Sequence, residues 1–204
     1  ARTRCSSTVG VKIGVLALQG NVSEHIDAFE RALERVGQAS ESSVFPVKKA
    51  MEISGCGALA IPGGESTTIS RLIEKNYLYD PIRHFSGGIF ATCAGMVLVA
   101  SRVDDPRICP LDLIDITVDR NAFGRQKESF EADLQIHGLD DGPFHAIFIR
   151  APVATGAGAG VHVLARVNHG IVAVEQGQHM ALAFHPELGS DTRLHERFLK
   201  KLGM

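Results

Sequence analysis

An α/β domain built on a mostly parallel sheet is the fold class that this sequence predicts. Three observations predict it. Several short apolar runs lack the alternation of polar and apolar residues, as expected of strands buried on both faces. Segments of helical period alternate with those runs. After about residue 110 the helical periodicity gives way to closely spaced strand-like runs separated by turn residues. This half is expected to be β-rich and partly antiparallel, with hairpins at the edge of the main sheet.

The elements follow in order. Val11 to Leu18 is nearly continuous apolar sequence and reads as a central strand, broken by Gln19-Gly20. Asn21 with Glu24 three residues later resembles a capping box, and Ile26, Phe29, Leu33 and Val36 follow at helical spacing until Gly37. Ser43 to Val47 and Ala58 to Ile61 read as strands, the second stopped by Pro62-Gly63-Gly64. Thr67 to Lys75 and Tyr79 to Phe85 read as helices, with Ser66 or Thr67 a candidate N-cap. Further strands are expected at Ile114 to Val118, Phe130 to Leu134, Phe144 to Ile149, Val161 to Val167, Ile171 to Glu175 and Met180 to Phe184. The run from Ala154 to Gly160 reads as a small-residue loop. Thr192 to Leu202 closes the chain as a helix with Leu194, Phe198 and Leu202 on its apolar stripe.

The chemistry centres on Ile89-Phe90-Ala91-Thr92-Cys93-Ala94-Gly95-Met96. An apolar strand ends at a thiol, and small residues lead into an apolar helix. That is the strand–turn–helix setting of a nucleophile elbow. The backbone N–H groups opening the helix face developing negative charge, and the helix dipole favours a thiolate. A buried, inert Cys is the alternative. A nucleophilic Cys needs a base, and Phe184-His185-Pro186-Glu187 follows another strand-like run. If His185-Pro186-Glu187 is extended, residues two apart share a side, and Glu187 can orient the His185 ring. Gly63-Gly64 after one strand and Ala94 after another offer N–H groups for an oxyanion hole. In an open α/β sheet, ligands bind beyond the carboxyl ends of the strands. Gln19-Gly20, the Pro62–Ser66 loop and Cys93 are all expected there.

Bulk properties narrow the class. The chain has 204 residues and a formal net charge of −2, without a Lys/Arg block. Nucleic acid and anionic membranes are poor partners on that count. No apolar run approaches the roughly 20 residues of a membrane span. Residues 1–10 are polar at their start and read as a flexible leader or expression remnant, leaving residues 11–204 as one domain. The four cysteines, Cys5, Cys56, Cys93 and Cys109, show no metal-ligand spacing. Free thiols in a reducing cytoplasm, with no metal and no cofactor, are the expectation.

Six segments run in the order of one family: Leu18 to His25, Pro62 to Thr68, Thr92 to Gly95, Asp119 to Gln126, Phe148 to Pro152, and Phe184 to Leu188. From Val11 to Leu202 the chain resembles the glutaminase subunit of pyridoxal 5′-phosphate synthase, a class I (triad-type) glutamine amidotransferase. The resemblance implies a flavodoxin-like three-layer domain. It implies hydrolysis of L-glutamine to L-glutamate and ammonia, with the ammonia channelled to a synthase subunit in a large hetero-oligomer, one glutaminase per synthase subunit. By the same resemblance Cys93 is the nucleophile and His185 and Glu187 complete the triad. Gly64 and Ala94 match the oxyanion hole. Gly64, Glu65, Ser66, Arg120, Ile149 and Arg150 match glutamine-contacting positions, and Gln19 matches a residue that responds to partner docking. Glu65 and Arg120 or Arg150 then offer charges complementary to the ammonium and carboxylate of glutamine. One departure stands out: the family has Gly two residues before the nucleophile, where this chain has Ala91.

Overall fold

The apolar runs of the first half become a parallel sheet in the computed structural model, which describes residues 10–123 and 129–204. Strand β1 (Lys12–Leu16) leads into helix α1 (Val22–Arg35) and strand β2 (Ser43–Val47). A short helix α2 (Ala50–Ser54) precedes β3 (Ala58–Ile61), and α3 (Ser66–Lys75) and α4 (Tyr79–Arg83) precede β4 (Gly88–Thr92). Helix α5 (Ala94–Val99) runs directly into β5 (Ala100–Val103). Strands β6 (Ile114–Asp119), β7 (Ser129–Leu134), β8 (Phe144–Ile149), β9 (Val153–Ala157), β10 (His162–Val167), β11 (Gly170–Gln176) and β12 (His179–Leu182) follow. A 3-10 turn (Pro186–Leu188) and helix α6 (Arg193–Lys201) complete the described chain.

The main sheet has the order β2-β1-β3-β4-β12-β11-β9-β6-β5, with β10 paired to β11. Strands β2, β1, β3, β4 and β12 are mutually parallel, and the antiparallel pairs lie among β12, β11, β10, β9 and β6. The chain steps from β1 to β2 in one direction, then crosses to β3 and β4 in the other. Right-handed crossovers therefore put α1 and α2–α4 on opposite faces. Helix α6 packs on α1, and α5 on α3. The result is the three-layer α/β arrangement the sequence predicts, with the switch in strand order beside β1. Among the described residues, β7 and β8 form a separate antiparallel pair. Phe144, Ala146 and Phe148 alternate as its buried side, which suits a hairpin laid against the core on one face.

The core explains why these residues form these elements. Ala58–Ile61 and Gly88–Thr92 are buried throughout, so neither strand shows a period of two. In α1 the buried positions are His25, Ala28, Phe29, Ala32 and Leu33, one stripe of the helix. Phe90 of β4 sits in an aromatic cluster with Phe29 and Phe198, its ring centroid 5.3 Å from each of theirs. Full burial of such a side chain contributes about 1.5–3 kcal/mol.

The structure corrects several local expectations. Ala154 to Ala157 is not loop: it belongs to β9, which pairs with β6 and β11. Gly156 and the alanines on either side of Thr155 weaken the strand signal, and pairing on both sides supplies what propensity lacks. Helix α2 is short, and the Glu52 carboxylate anchors its start by accepting from the Lys48 and Lys49 amides at 2.7 and 2.8 Å. The Asn21–Glu24 capping box does not form; the Asn21 side chain caps nothing and turns elsewhere. Most of the expected leader, Cys5 included, lies outside the described residues, as do Gly124, Arg125 and Gln126 of the Asp119-to-Gln126 run.

Candidate active site

Two neighbouring parallel strands bring the nucleophile and the base together. In the β4–β12 register Thr92 lies opposite Leu182. Cys93 is the next residue after β4, and His185 lies three residues beyond β12. The Cys93 amide continues the ladder by donating to the Leu182 carbonyl at 2.8 Å. The chain must then turn at once into α5, and Cys93 adopts φ 51°, ψ −108°. Few residues with a Cβ hold that conformation, and its survival at a site of this kind marks a position fixed by its surroundings. Cys93 is 7% exposed, and its Sγ lies 3.7 Å from the Ile149 carbonyl oxygen. As the first residue of α5, Ala94 has an amide without an intrahelical acceptor.

His185 is fixed from three sides. Its amide donates to Ile147 of β8 at 2.9 Å. Its Nδ1 lies 2.7 Å from Glu187 Oε1. Gly63 lies against the ring: a Cβ there would come within 2.6 Å of His185 Cε1 and 3.0 Å of Cys93 Cβ. Only glycine lets this loop close over both residues. The route by which Glu187 reaches His185 differs from the extended dipeptide expected from sequence. His185 is the residue before a 3-10 turn with Pro186 in its first position, and the turn folds the carboxylate back onto the ring. Proline suits that first position because its missing N–H has no partner there in any case.

Electrostatics favour a charged pair. Burial works against a protonated His185, but hydrogen bonds to Cys93 and Glu187 outweigh it and raise its pKa to about 10. Burial likewise works against an ionised Glu187, but the hydrogen bond and charge of His185 outweigh it and hold the carboxyl well below its ordinary value. The imidazolium–carboxylate pair is therefore the resting form near neutrality.

Gly64, Glu65, Ser66, Cys93, Ala94, Arg120, Ile149, Arg150 and His185 line one cleft of about 460 Å³, together with Gly20, Asn21, Asn121 and Pro152. That volume lies in the range of small-molecule sites. Gln19 reaches the same loop, its Oε1 accepting from the Glu65 amide at 2.8 Å. The N-cap of α3 is Glu65, neither Ser66 nor Thr67. Its carboxylate accepts from the amides of Thr67 and Thr68 and from both hydroxyls. Burial opposes its ionisation, but the Thr67 and Thr68 hydrogen bonds hold its pKa at about 2. Arg120 does not stand free beside it: its guanidinium bridges Glu65 (3.1 Å) and Asp105. Glu65 and Arg120 thus form the wall of the cleft as a pair. Arg150 is exposed at its rim with φ 42°. Ala91 is fully buried in β4, between Ile61 and Ala181, so its methyl fits inside the sheet.

Sequence reasoning missed two polar residues behind the triad. Asn21 Nδ2 lies 3.2 Å from Glu187 Oε1 and 3.4 Å from His185 Nδ1. His25 Nε2 lies 3.0 Å from Thr92 Oγ1 and 3.6 Å from Glu187 Oε1. The available signal was a histidine on the apolar stripe of α1, one turn before Phe29.

Comparison with known proteins gives the family of the chain. The SNO glutamine amidotransferase family matches residues 15–203. The "Pyridoxal 5′-phosphate synthase subunit PdxT" of Methanoregula boonei is 68% identical over 194 residues, covering 95% of this chain and 100% of the relative. The protein of the same description from Geobacillus kaustophilus is 49% identical over 93% of both chains. A crystal structure described as a glutamine amidotransferase superposes with a TM-score of 0.81 at 45% identity, over 94% of this chain and 99% of that one. The glutaminase domain of Trypanosoma brucei CTPS, solved with acivicin, shares the fold at 13% identity and a TM-score of 0.58, over 95% of this chain and 94% of that one.

Proposed function

Since the chain belongs to the SNO glutamine amidotransferase family, we propose that Cys93, His185 and Glu187 are the triad of its glutaminase reaction. The protein hydrolyses L-glutamine to L-glutamate and ammonia, and supplies the ammonia to the synthase subunit that makes pyridoxal 5′-phosphate. One observation carries the residue assignment. A strained Cys93 and a buried His185 end adjacent parallel strands, with Glu187 2.7 Å from His185 Nδ1.

The steps follow from that geometry. The Cys93 thiolate attacks the side-chain amide carbon of glutamine, forming the C–S bond. The tetrahedral oxyanion faces the N–H groups of Ala94 and Gly64. His185 gives its proton to the amide nitrogen as the C–N bond breaks, and ammonia leaves. His185 then takes a proton from water, the resulting hydroxide attacks the thioester, and collapse releases glutamate and restores the thiolate. Glu187 keeps the imidazole oriented and balances its charge throughout. Glu65, Ser66, Arg120, Ile149 and Arg150 form the wall that receives the glutamine zwitterion.

Gln19 links the reaction to the partner. Its side chain holds the amide of Glu65, in the loop that carries Gly64. Docking of the synthase subunit, one per glutaminase in a large cytoplasmic complex, resets this loop and completes the oxyanion hole. The test is glutamate release from glutamine, with and without the synthase subunit, for the wild type and Cys93→Ala. Turnover by the wild type that rises with the partner, and none by Cys93→Ala, is the expected result. Turnover by Cys93→Ala would remove the nucleophile assignment, and equal wild-type rates would remove the role given to Gln19.

A further inference from the structure

Glu187 presents only one of its oxygens to the triad. His185 Nδ1 at 2.7 Å, Asn21 Nδ2 at 3.2 Å and His25 Nε2 at 3.6 Å all converge on Oε1. Oε2 is buried and has no hydrogen-bond partner among the described residues. The carboxylate therefore takes its orientation from what surrounds Oε1.

His25 is fully buried on α1, and its Nδ1 has no partner among the described residues. Burial lowers its pKa, against the opposing pull of Glu187, and the ring is neutral with a single N–H. The position of that proton follows from the network. On Nδ1 it would be an unsatisfied buried donor, and the Nε2 lone pair would face a carboxylate. On Nε2 it points at Thr92 Oγ1 and lies beside Glu187 Oε1. The second arrangement avoids both costs. His195 shows what a merely space-filling histidine looks like in the same cluster. Its ring centroid is 6.2 Å from that of His25, it is equally buried, and neither of its ring nitrogens has a partner among the described residues.

We infer that His25 is a positioning residue of this active site: its Nε2–H fixes the Glu187 carboxylate toward His185 and ties it to Thr92, the residue before the nucleophile. The inference rests on the triad reading above. His25 touches no reacting atom and acts through Glu187. Behind it the Phe90 and His195 rings pack at a tilt of 32°, their centroids 4.6 Å apart, and Phe29 meets His195 edge-on at 4.8 Å. Within this wall His25 Nδ1 finds no hydrogen-bond partner among the described residues, so the polar contacts of the ring lie on its Nε2 side.

The test compares His25→Leu, His25→Gln, His25→Asn and Thr92→Val with the wild type, all with the synthase subunit present. Glutamate release is measured against glutamine concentration, and Cys93 labelling by a chloroketone analogue of glutamine is measured alongside. Residues that orient metal ligands from behind account for about 10–100-fold in affinity or activity, and an effect of that order is expected of a group that orients a triad member. His25→Leu is expected to lose about tenfold or more in kcat with KM within about twofold. His25→Gln, whose amide nitrogen reaches the Nε2 position, recovers to within about threefold of the wild type. His25→Asn stops one methylene short and remains slow, and this comparison decides the matter if His25→Leu does not fold. Thr92→Val, which removes the acceptor that directs Nε2–H but leaves the His25 ring beside Glu187, is expected to lose part of what His25→Leu loses. Wild-type kcat in His25→Leu, or equal rates in the Gln and Asn variants, would overturn the inference. A wild type that neither turns over nor labels would instead overturn the triad reading beneath it.

Discussion

At the scale of single residues the site is a set of charges placed so that each is met by another. His185 is the clearest case, and its titration carries a stability consequence. Burial depresses the protonated ring, but Cys93 and Glu187 raise its folded-state pKa from 6.5 to about 10. A raised pKa means that the stabilisation is complete below about pH 6.5 and is lost as the pH climbs through about 10. Glu187 runs the other way: its depressed pKa gives stabilisation above about pH 4.5 that is lost as the pH falls through about 2. The difference in melting temperature between the wild type and His185→Gln is therefore expected to be largest at about pH 5–6.5 and to shrink toward pH 10. A difference that grows with pH in thermal melts would contradict the imidazolium–carboxylate pair. Cys93 and His185 were legible in the sequence because each sits in a short local pattern, a thiol or an imidazole just past an apolar strand. Asn21 and His25 were not. Their partner Glu187 lies more than 160 residues away along the chain, and a histidine on an apolar helix face reads as core until that partner is placed.

At the scale of elements, the junction of β4 and α5 sets the precision of the elbow. Helix α5 starts so close to β3 that a Cβ on Gly95 would lie 2.3 Å from the Ile61 carbonyl oxygen and 3.3 Å from the Ala91 methyl. Backbone cannot yield as the end of a flexible side chain does. Gly95→Ala is expected to destabilise the fold by about 1–3 kcal/mol, the usual range for overpacking, measured by urea denaturation. Unchanged stability would mean that α5 can move away from the sheet. The strands and long helices were legible because their periods are set by burial: continuous in β1, β3 and β4, helical in α1, α3 and α6. What escaped was supported from outside its own sequence. Strand β9 is held by its two neighbours, α2 by the Glu52 carboxylate, and β5 follows α5 without the turn residues that mark a boundary.

At the scale of the whole molecule, the strand order decides which parts of the chain meet. Strands β1 to β4 of the parallel set follow from alternating β and α segments, and the sequence carried that much. It did not carry the insertion of β12, a strand of the C-terminal half, between β4 and β11. Long-range pairing of that kind leaves no local signature. It has a kinetic consequence. Until residues 179–182 arrive, β4 has an open edge where β12 belongs, and Cys93 has neither its Leu182 hydrogen bond nor a base. Contacts between residues so far apart in sequence close late and slowly. During refolding from urea, helical ellipticity is expected to recover before Cys93 becomes reactive toward a glutamine-like chloroketone; simultaneous recovery would place β12 insertion early. A chain still being synthesised is in the same position: its nucleophile is already made, yet it has no base and no finished site for glutamine until residues 179–187 have emerged, so that completion of the sheet is what switches the thiol on.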